Sequence, residues 1–223
     1  MMDLLFLTKT ELFRGAAPGE AEELLRRLNA SVREYEKGEV IYRAGQTIER
    51  LGMVIQGGVT IESDDIWGNR SILSHVEPGA IFGETYACIA GEPLLINVVA
   101  AERSRVLFLE IARALDGRAE ACPFHGRLAQ NLLQICARKN LLLSRRILHT
   151  SSKTIRGRLL SYFSEQAQKS GSHQFTIPFN RQQLADYLNV DRSALSAELS
   201  KMKAEGILDY EKNTFVLSPG AKN

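Results

Sequence analysis

Three cysteines in 223 residues, a single tryptophan and a net charge of only +2 leave several classes of protein without support. Cys88, Cys122 and Cys136 are odd in number and far apart, which suits neither a disulfide framework nor a CxxC metal site. A reducing cytoplasm is the expected compartment. The apolar patch in MMDLLFLTKTELF is too short to span a membrane, and it has an early Asp3 and no basic lead, so neither an anchor nor a signal peptide is expected. The sequence also lacks low-complexity tracts and fixed-period repeats. What charge there is lies unevenly. Residues 1–112 carry 11 Lys and Arg against 17 Asp and Glu, whereas residues 113–223 carry 17 against 9. The first part is poorly suited to nucleic acid, and the second fits a phosphate-facing role. With 44% apolar residues the chain can bury a good core, and its length fits two domains.

After a short amphipathic helix beginning near Pro18, Gly38, Gly45, Gly52, Gly57, Gly58, Gly68, Gly79 and Gly83 punctuate short apolar runs, among them VIY, LGMVI, VTIE and SILSHV. Strands of this length at this spacing predict a small antiparallel roll or barrel, with DDIWGN as a hairpin tip. INVVAAE and SRVLFLE continue the strand signal. From about Ile111 to His149 the period becomes helical, with Leu128, Leu132, Ile135 and Leu142 at three-, four- and seven-residue steps. A striped helix of that length pairs with its twin in a dimer or packs on its own roll. HTSSKT, residues 149–154, marks a hinge before the helix TIRGRLLSYFSEQAQ.

The C-terminal part carries the sharpest local signals. In NRQQLADYLNVDRSALSAELSKMKAEGIL, Asn180 caps a helix, Gln183 completes a capping box, and Phe179 and Leu184 form a hydrophobic staple. Asn189 suits a positive-φ turn, and Asp191 caps a second helix. On that helix Leu195, Leu199 and Met202 share one face. Arg192, Ser193, Ser196, Ala197, Ser200 and Lys203 share the other, a face of cations, hydroxyls and small groups suited to a major groove. ILDY and TFVL around EKN read as a wing hairpin, and FTI as a third strand. Arg181, Gln182 and Asp191 join the expected DNA contacts.

The motifs YEKGEVIYRAGQ, GGVTIESDDIWGNRSILSHVEPGAIFGE and RQQLADYLNVDRSALSAELSKMKAEGIL make the chain resemble the Crp/Fnr family of bacterial transcription regulators across nearly all of its length. The resemblance implies an α+β protein: a cyclic-nucleotide-binding-type β roll over residues 1–112, a dimerisation helix and hinge over 113–150, and a winged helix-turn-helix over 151–223. It implies a homodimer joined through Leu128, Leu132, Ile135 and Leu142, an inverted-repeat operator in double-stranded DNA, RNA polymerase as a further partner, no membrane and no catalysis. It also places an effector pocket at Gly83, Glu84, Thr85, Tyr86, Leu94, Leu95 and Asn97 of the roll and Asn140, Leu143 and Ser144 of the long helix.

Members that bind cyclic AMP follow a Gly-Glu pair with an Arg-Ser pair about ten residues on. Here Gly83 and Glu84 match, but Leu94 and Leu95 stand where Arg-Ser belongs, so a phosphate would be buried without a cation. The effector is therefore expected not to be cyclic AMP, and the sequence assigns no cofactor or metal. No cysteine precedes Cys88, which speaks against the iron-sulfur mode. His75 and His125 are the candidate haem ligands, and each reads better as a surface or structural histidine. Two rivals stand beside this reading: a ligand-sensing protein-interaction module that does not bind DNA, and an enzyme using Cys122 and His125, for which no orienting acid is identifiable.

Overall fold

The computed structural model describes residues 3–64, 70–115 and 124–218. The hairpin tip beyond Asp64 and Cys122 lie outside these residues. Contacts divide the chain into two units, Met1–Ala137 and Arg138–Asn223.

The first unit opens with helices α1 (Leu4–Lys9) and α2 (Pro18–Arg27). Asp3 caps α1 by accepting from the Phe6 amide at 3.0 Å, and Pro18 starts α2 where a missing N–H costs nothing. There follow β1 (Ser31–Tyr35), β2 (Val40–Tyr42), β3 (Leu51–Gln56), β4 (Val59–Asp64), β5 (Arg70–Val76), β6 (Ile81–Phe82), α3 (Glu84–Cys88), β7 (Asn97–Ala100) and β8 (Ser104–Leu109). The strands form two four-stranded antiparallel sheets, ordered β1-β8-β3-β6 and β2-β7-β4-β5. These are the expected roll.

β3 and β8 read as nearly unbroken apolar runs because both of their faces are covered. Val54, Val106 and Phe108 pack inside the roll with Val59, Phe82 and Val98. Leu51, Met53, Leu107 and Leu109 face the other way, onto Leu7, Leu12, Phe13 and Leu24. Gly52 permits this: a Cβ there would stand 2.2 Å from the Phe82 ring.

Helix α4 (Ala112–Leu115) comes next, and the long helix, α5 (His125–Thr150), begins only at His125 rather than near Ile111. Leu128, Leu132 and Ile135 are 0%, 4% and 6% exposed and belong to the same core as Leu7, Leu12 and Phe13. This corrects the expected dimer stripe. The leading segment folds as α1 and covers those three residues within their own protomer, and of the four only Leu142 is open. A different row lies outside: Leu133, Leu143 and Ile147 are 69%, 63% and 69% exposed. Among the described residues no helix is long and apolar enough to cross a membrane.

In the second unit α5 ends at Thr150, and Thr154 caps α6 (Ile155–Ser170) by accepting from the Gly157 amide at 3.0 Å. Helix α5 ends inside HTSSKT, and residues 138–150 of α5 group with the second unit. Then come β9 (Gln174–Thr176), α7 (Arg181–Leu188), α8 (Arg192–Ala204), β10 (Leu208–Glu211) and β11 (Thr214–Leu217). The three strands pair in the order β10-β11-β9. Leu159 and Phe163 of α6, Leu184 and Leu188 of α7, Leu195, Leu199 and Met202 of α8, and Phe215 of the wing form one core.

Candidate nucleic-acid interface

The local chemistry of α7 and α8 follows the sequence closely. Asn180 accepts from the Gln183 amide, and the Gln183 side chain accepts from the Asn180 amide, both at 2.9 Å. Asn189 turns the chain at φ 53°, and Asp191 opens α8 by accepting from the Ala194 amide at 2.9 Å. With Leu195, Leu199 and Met202 fully buried, the opposite side of α8 is presented to solvent.

On that side the expected DNA residues fall into groups. Arg192 and Ala197 are exposed, and Arg192 makes no ion pair among the described residues. Ser196 and Ser200 donate their hydroxyls to the carbonyls of Arg192 and Ser196, at 2.9 and 3.0 Å. With those protons committed, the oxygens present lone pairs outward, able to accept from adenine N6 or cytosine N4. Asp191 and Ser193 are drawn into the cap. The Ser193 hydroxyl and the Ala194 amide, in that order, hold the Asp191 carboxyl below its usual range.

Arg181 and Lys203 are engaged by the wing. The Arg181 guanidinium stacks 4.7 Å from the Tyr210 ring centroid and 5.1 Å from that of Phe215, where burial pushes its pKa down. Lys203 pairs with Asp209 and lies 5.2 Å from the Tyr210 ring. Gln182 donates to Asp186 at 2.8 Å. Sequence reasoning left out Lys212, which tips the wing at φ 51° and is exposed. Arg192, Lys212, Asn213, Asn180, Gln182 and Tyr210 line one cleft between the two helices and the wing. The cationic tip in EKN was the available signal.

The position of α8 is fixed from behind. Arg156 of α6 reaches Glu198 and Glu205 at 2.6 and 2.7 Å, tying both ends of the second half of α8 to α6.

In the roll, Gly83 adopts φ 72° at the start of α3, and Glu84 is buried in its first turn. Thr85 is exposed, and the Tyr86 hydroxyl accepts from the Leu95 amide at 3.4 Å. Leu94 and Leu95 diverge: the first is 1% exposed and its backbone bonds Gly45 and Gln46, the second is 74% exposed. Asn97 is committed on both sides, donating to Asp64 at 2.8 Å and accepting from the Ala44 amide at 2.9 Å. Asn140, Leu143 and Ser144 belong to the second unit, where the Ser144 hydroxyl donates to Asn140 at 3.2 Å. His75 lies exposed on β5, and His125 is half-buried at the start of α5.

Residues 32–116 match the model of the cyclic nucleotide-binding domain, and residues 157–221 match that of the Crp-like helix-turn-helix domain. The chain belongs to the Crp/Fnr family. Solved structures of similar fold include the catabolite activator protein of Thermus thermophilus, 23% identical over 94% of each chain with a TM-score of 0.50. The c-di-GMP responsive global regulator CLP of Xanthomonas campestris is 17% identical over 91% of this chain and 100% of its own, at 0.56. CprK complexed with OCPA is 18% identical over 86% of this chain and 90% of its own, also at 0.56. At these identities the likeness establishes the fold of this Crp/Fnr regulator and nothing finer. No curated protein sequence matches the chain.

Proposed function

We propose that the chain acts as a homodimeric, sequence-specific DNA-binding transcription regulator in the cytoplasm, with RNA polymerase as its downstream partner and an effector bound at the roll. The observation that carries this reading is the open face of α8. Arg192 stands free at its first turn, acceptor hydroxyls and a methyl follow it, and Lys212 of the wing sits beside it. Arg192 reaches guanine, Ser196 and Ser200 accept from base amines, Ala197 meets a thymine methyl, and Lys212 holds phosphate. Arg181 and Lys203 brace the wing that delivers Lys212.

The dimer forms through the outer row of α5. Leu133, Asn140 and Ile147 recur at seven-residue steps, with Ala137 and Ser144 four residues after the first two. That is a two-stranded seam with two polar residues, Asn140 and Ser144, of which the Asn140 amide sets the register.

Binding of purified protein to duplex DNA at 50 and 200 mM salt tests the reading. Six to ten phosphate contacts predict a loss of roughly 10³- to 10⁵-fold in affinity between the two. Weak, salt-independent binding would overturn it and favour the protein-interaction module.

The effector is uncharged or weakly polar. From Gly83 to Asn97 the sequence holds no Lys, Arg or His, and Leu94 is buried where a phosphate would need its cation. Glu84 offers a ribose hydroxyl a charge-assisted hydrogen bond of about 1.5 to 3 kcal/mol, against several kcal/mol for desolvating an unpaired phosphate. Cyclic AMP and cyclic GMP therefore give no micromolar binding by calorimetry and leave DNA affinity unchanged. Of the proteins of similar fold described above, one is c-di-GMP responsive and another is complexed with OCPA, so the fold alone does not choose a ligand class.

A further inference from the structure

At the end of α5 one buried imidazole joins three helices. His149 is 1% exposed. Its Nδ1 lies 2.9 Å from the Tyr187 hydroxyl of α7, and its Nε2 lies 2.6 Å from a carboxylate oxygen of Glu165 on α6. We assign the hydrogen of the neutral ring to Nε2, which faces the carboxylate, so that Nδ1 accepts from the Tyr187 O–H. The Tyr162 and Tyr187 rings pack against it, with centroids 5.4 and 5.8 Å away. Two arginines carry the joint into the turn of the helix-turn-helix. Arg146 donates to the carbonyls of Asp186 and Tyr187 at 3.0 and 3.2 Å. Arg158 donates to those of Leu188 and Asn189 at 2.9 and 2.8 Å. None of these groups belongs to the DNA-reading face.

We propose that His149 is a positioning residue for DNA recognition: its neutral form fixes the helix-turn-helix onto the end of α5, and its protonation loosens that joint. The proposal rests on the DNA-binding reading. The charged and titratable groups around the ring are Arg145 and Arg146 of α5, Tyr162, Glu165 and Lys169 of α6, and Asp186 and Tyr187 of α7. Glu165 already meets Arg145 at 3.2 Å and Lys169 at 2.6 Å, so an imidazolium would be a third cation on one carboxylate. The carboxylate of Asp186 is engaged by Gln182. A new Nδ1–H would also displace the Tyr187 hydrogen now directed at that nitrogen.

The energetics agree with this geometry. Burial is the main cause that holds His149 below its ordinary 6.5; Glu165 pulls the other way, and Lys169 and Arg145 add to the lowering. Burial raises the Glu165 carboxyl, but Lys169, His149 and Arg145 outweigh it and keep it below its usual value. A free ring takes a proton near 6.5 and the docked ring only at lower pH. The joint is therefore at full strength above that value and is lost as pH falls below it.

The test uses the full-length protein, a duplex recovered by its binding to genomic DNA, and a scrambled duplex. Between about pH 7.5 and 5.5 the ratio of specific to non-specific affinity falls about tenfold or more. The His149→Gln protein keeps a neutral donor toward Glu165 that does not titrate, and it holds that ratio nearly constant over the same range. In a second arm without DNA, Tyr187→Phe, which removes one hydroxyl, lowers hydrogen-exchange protection of residues 181–189 at least several-fold near pH 7.5. A wild-type ratio flat with pH, a His149→Gln protein with the wild-type slope, or unchanged protection in Tyr187→Phe overturns the proposal. If no duplex is bound specifically, the DNA-binding reading fails on its own, and lowered protection in Tyr187→Phe still supports the joint.

Discussion

Replacing Arg192 with alanine weakens specific operator binding by roughly 30-fold or more and leaves the dimer intact. Arg192 is the long cationic side chain in the first turn of the presented face, exposed and without an ion pair among the described residues. One bidentate contact to guanine discriminates by about 1 to 3 kcal/mol, and two half-sites double that, so the expected loss runs from roughly 30-fold to more than 10⁴-fold. The side chain packs against no core, so stability changes by no more than about 0.5 kcal/mol. A gel-shift titration with unchanged affinity would remove Arg192 from the reading head.

Leu133→Glu and Ile147→Glu each yield folded monomers. Both side chains are 69% exposed in the protomer, so a carboxylate there costs the isolated fold little. Across a dry seam it faces its own copy, and two unpaired charges are buried together. Light scattering reads the mass, and the loss of bivalency weakens operator binding by roughly 10²- to 10⁴-fold. Ile135→Glu behaves differently. That residue is 6% exposed within its own protomer's core, so the substitution destabilises the first unit and does not report on assembly. A Leu133→Glu or Ile147→Glu protein that stays dimeric would move the interface off α5.

Where caps and turns are short-range devices, the sequence was a reliable guide. Asn180, Gln183, Asn189 and Asp191 set the bounds of α7 and α8 through contacts within four residues, and each forms as read. Alternation and glycine spacing located β2, β3, β4, β5, β7 and β8. SVREY escaped, because β1 is a sheet-edge strand whose side chains are mostly exposed and show no apolar alternation. α5 was misjudged for a physical reason. It carries two apolar rows, one inward through Leu128, Leu132 and Ile135 and one outward through Leu133 and Ile147, and periodicity cannot tell which one a distant segment covers.

The reading face shows the same limit. Arg181 and Lys203 have the charge and spacing of DNA contacts, yet Tyr210 and Asp209, which engage them, arrive from the wing. The His149 joint was invisible for the same reason, since Glu165 and Tyr187 stand 16 and 38 residues away along the chain.

The central claim is that two copies of this winged helix-turn-helix read one operator in register. Incubating purified protein with sheared genomic DNA and sequencing the retained fragments tests it most directly. The account predicts a shared inverted repeat whose half-sites lie about one helical turn, roughly 10 to 10.5 base pairs, apart or at a multiple of it. Fragments indistinguishable from the input, or a single site without a two-fold repeat, would contradict it.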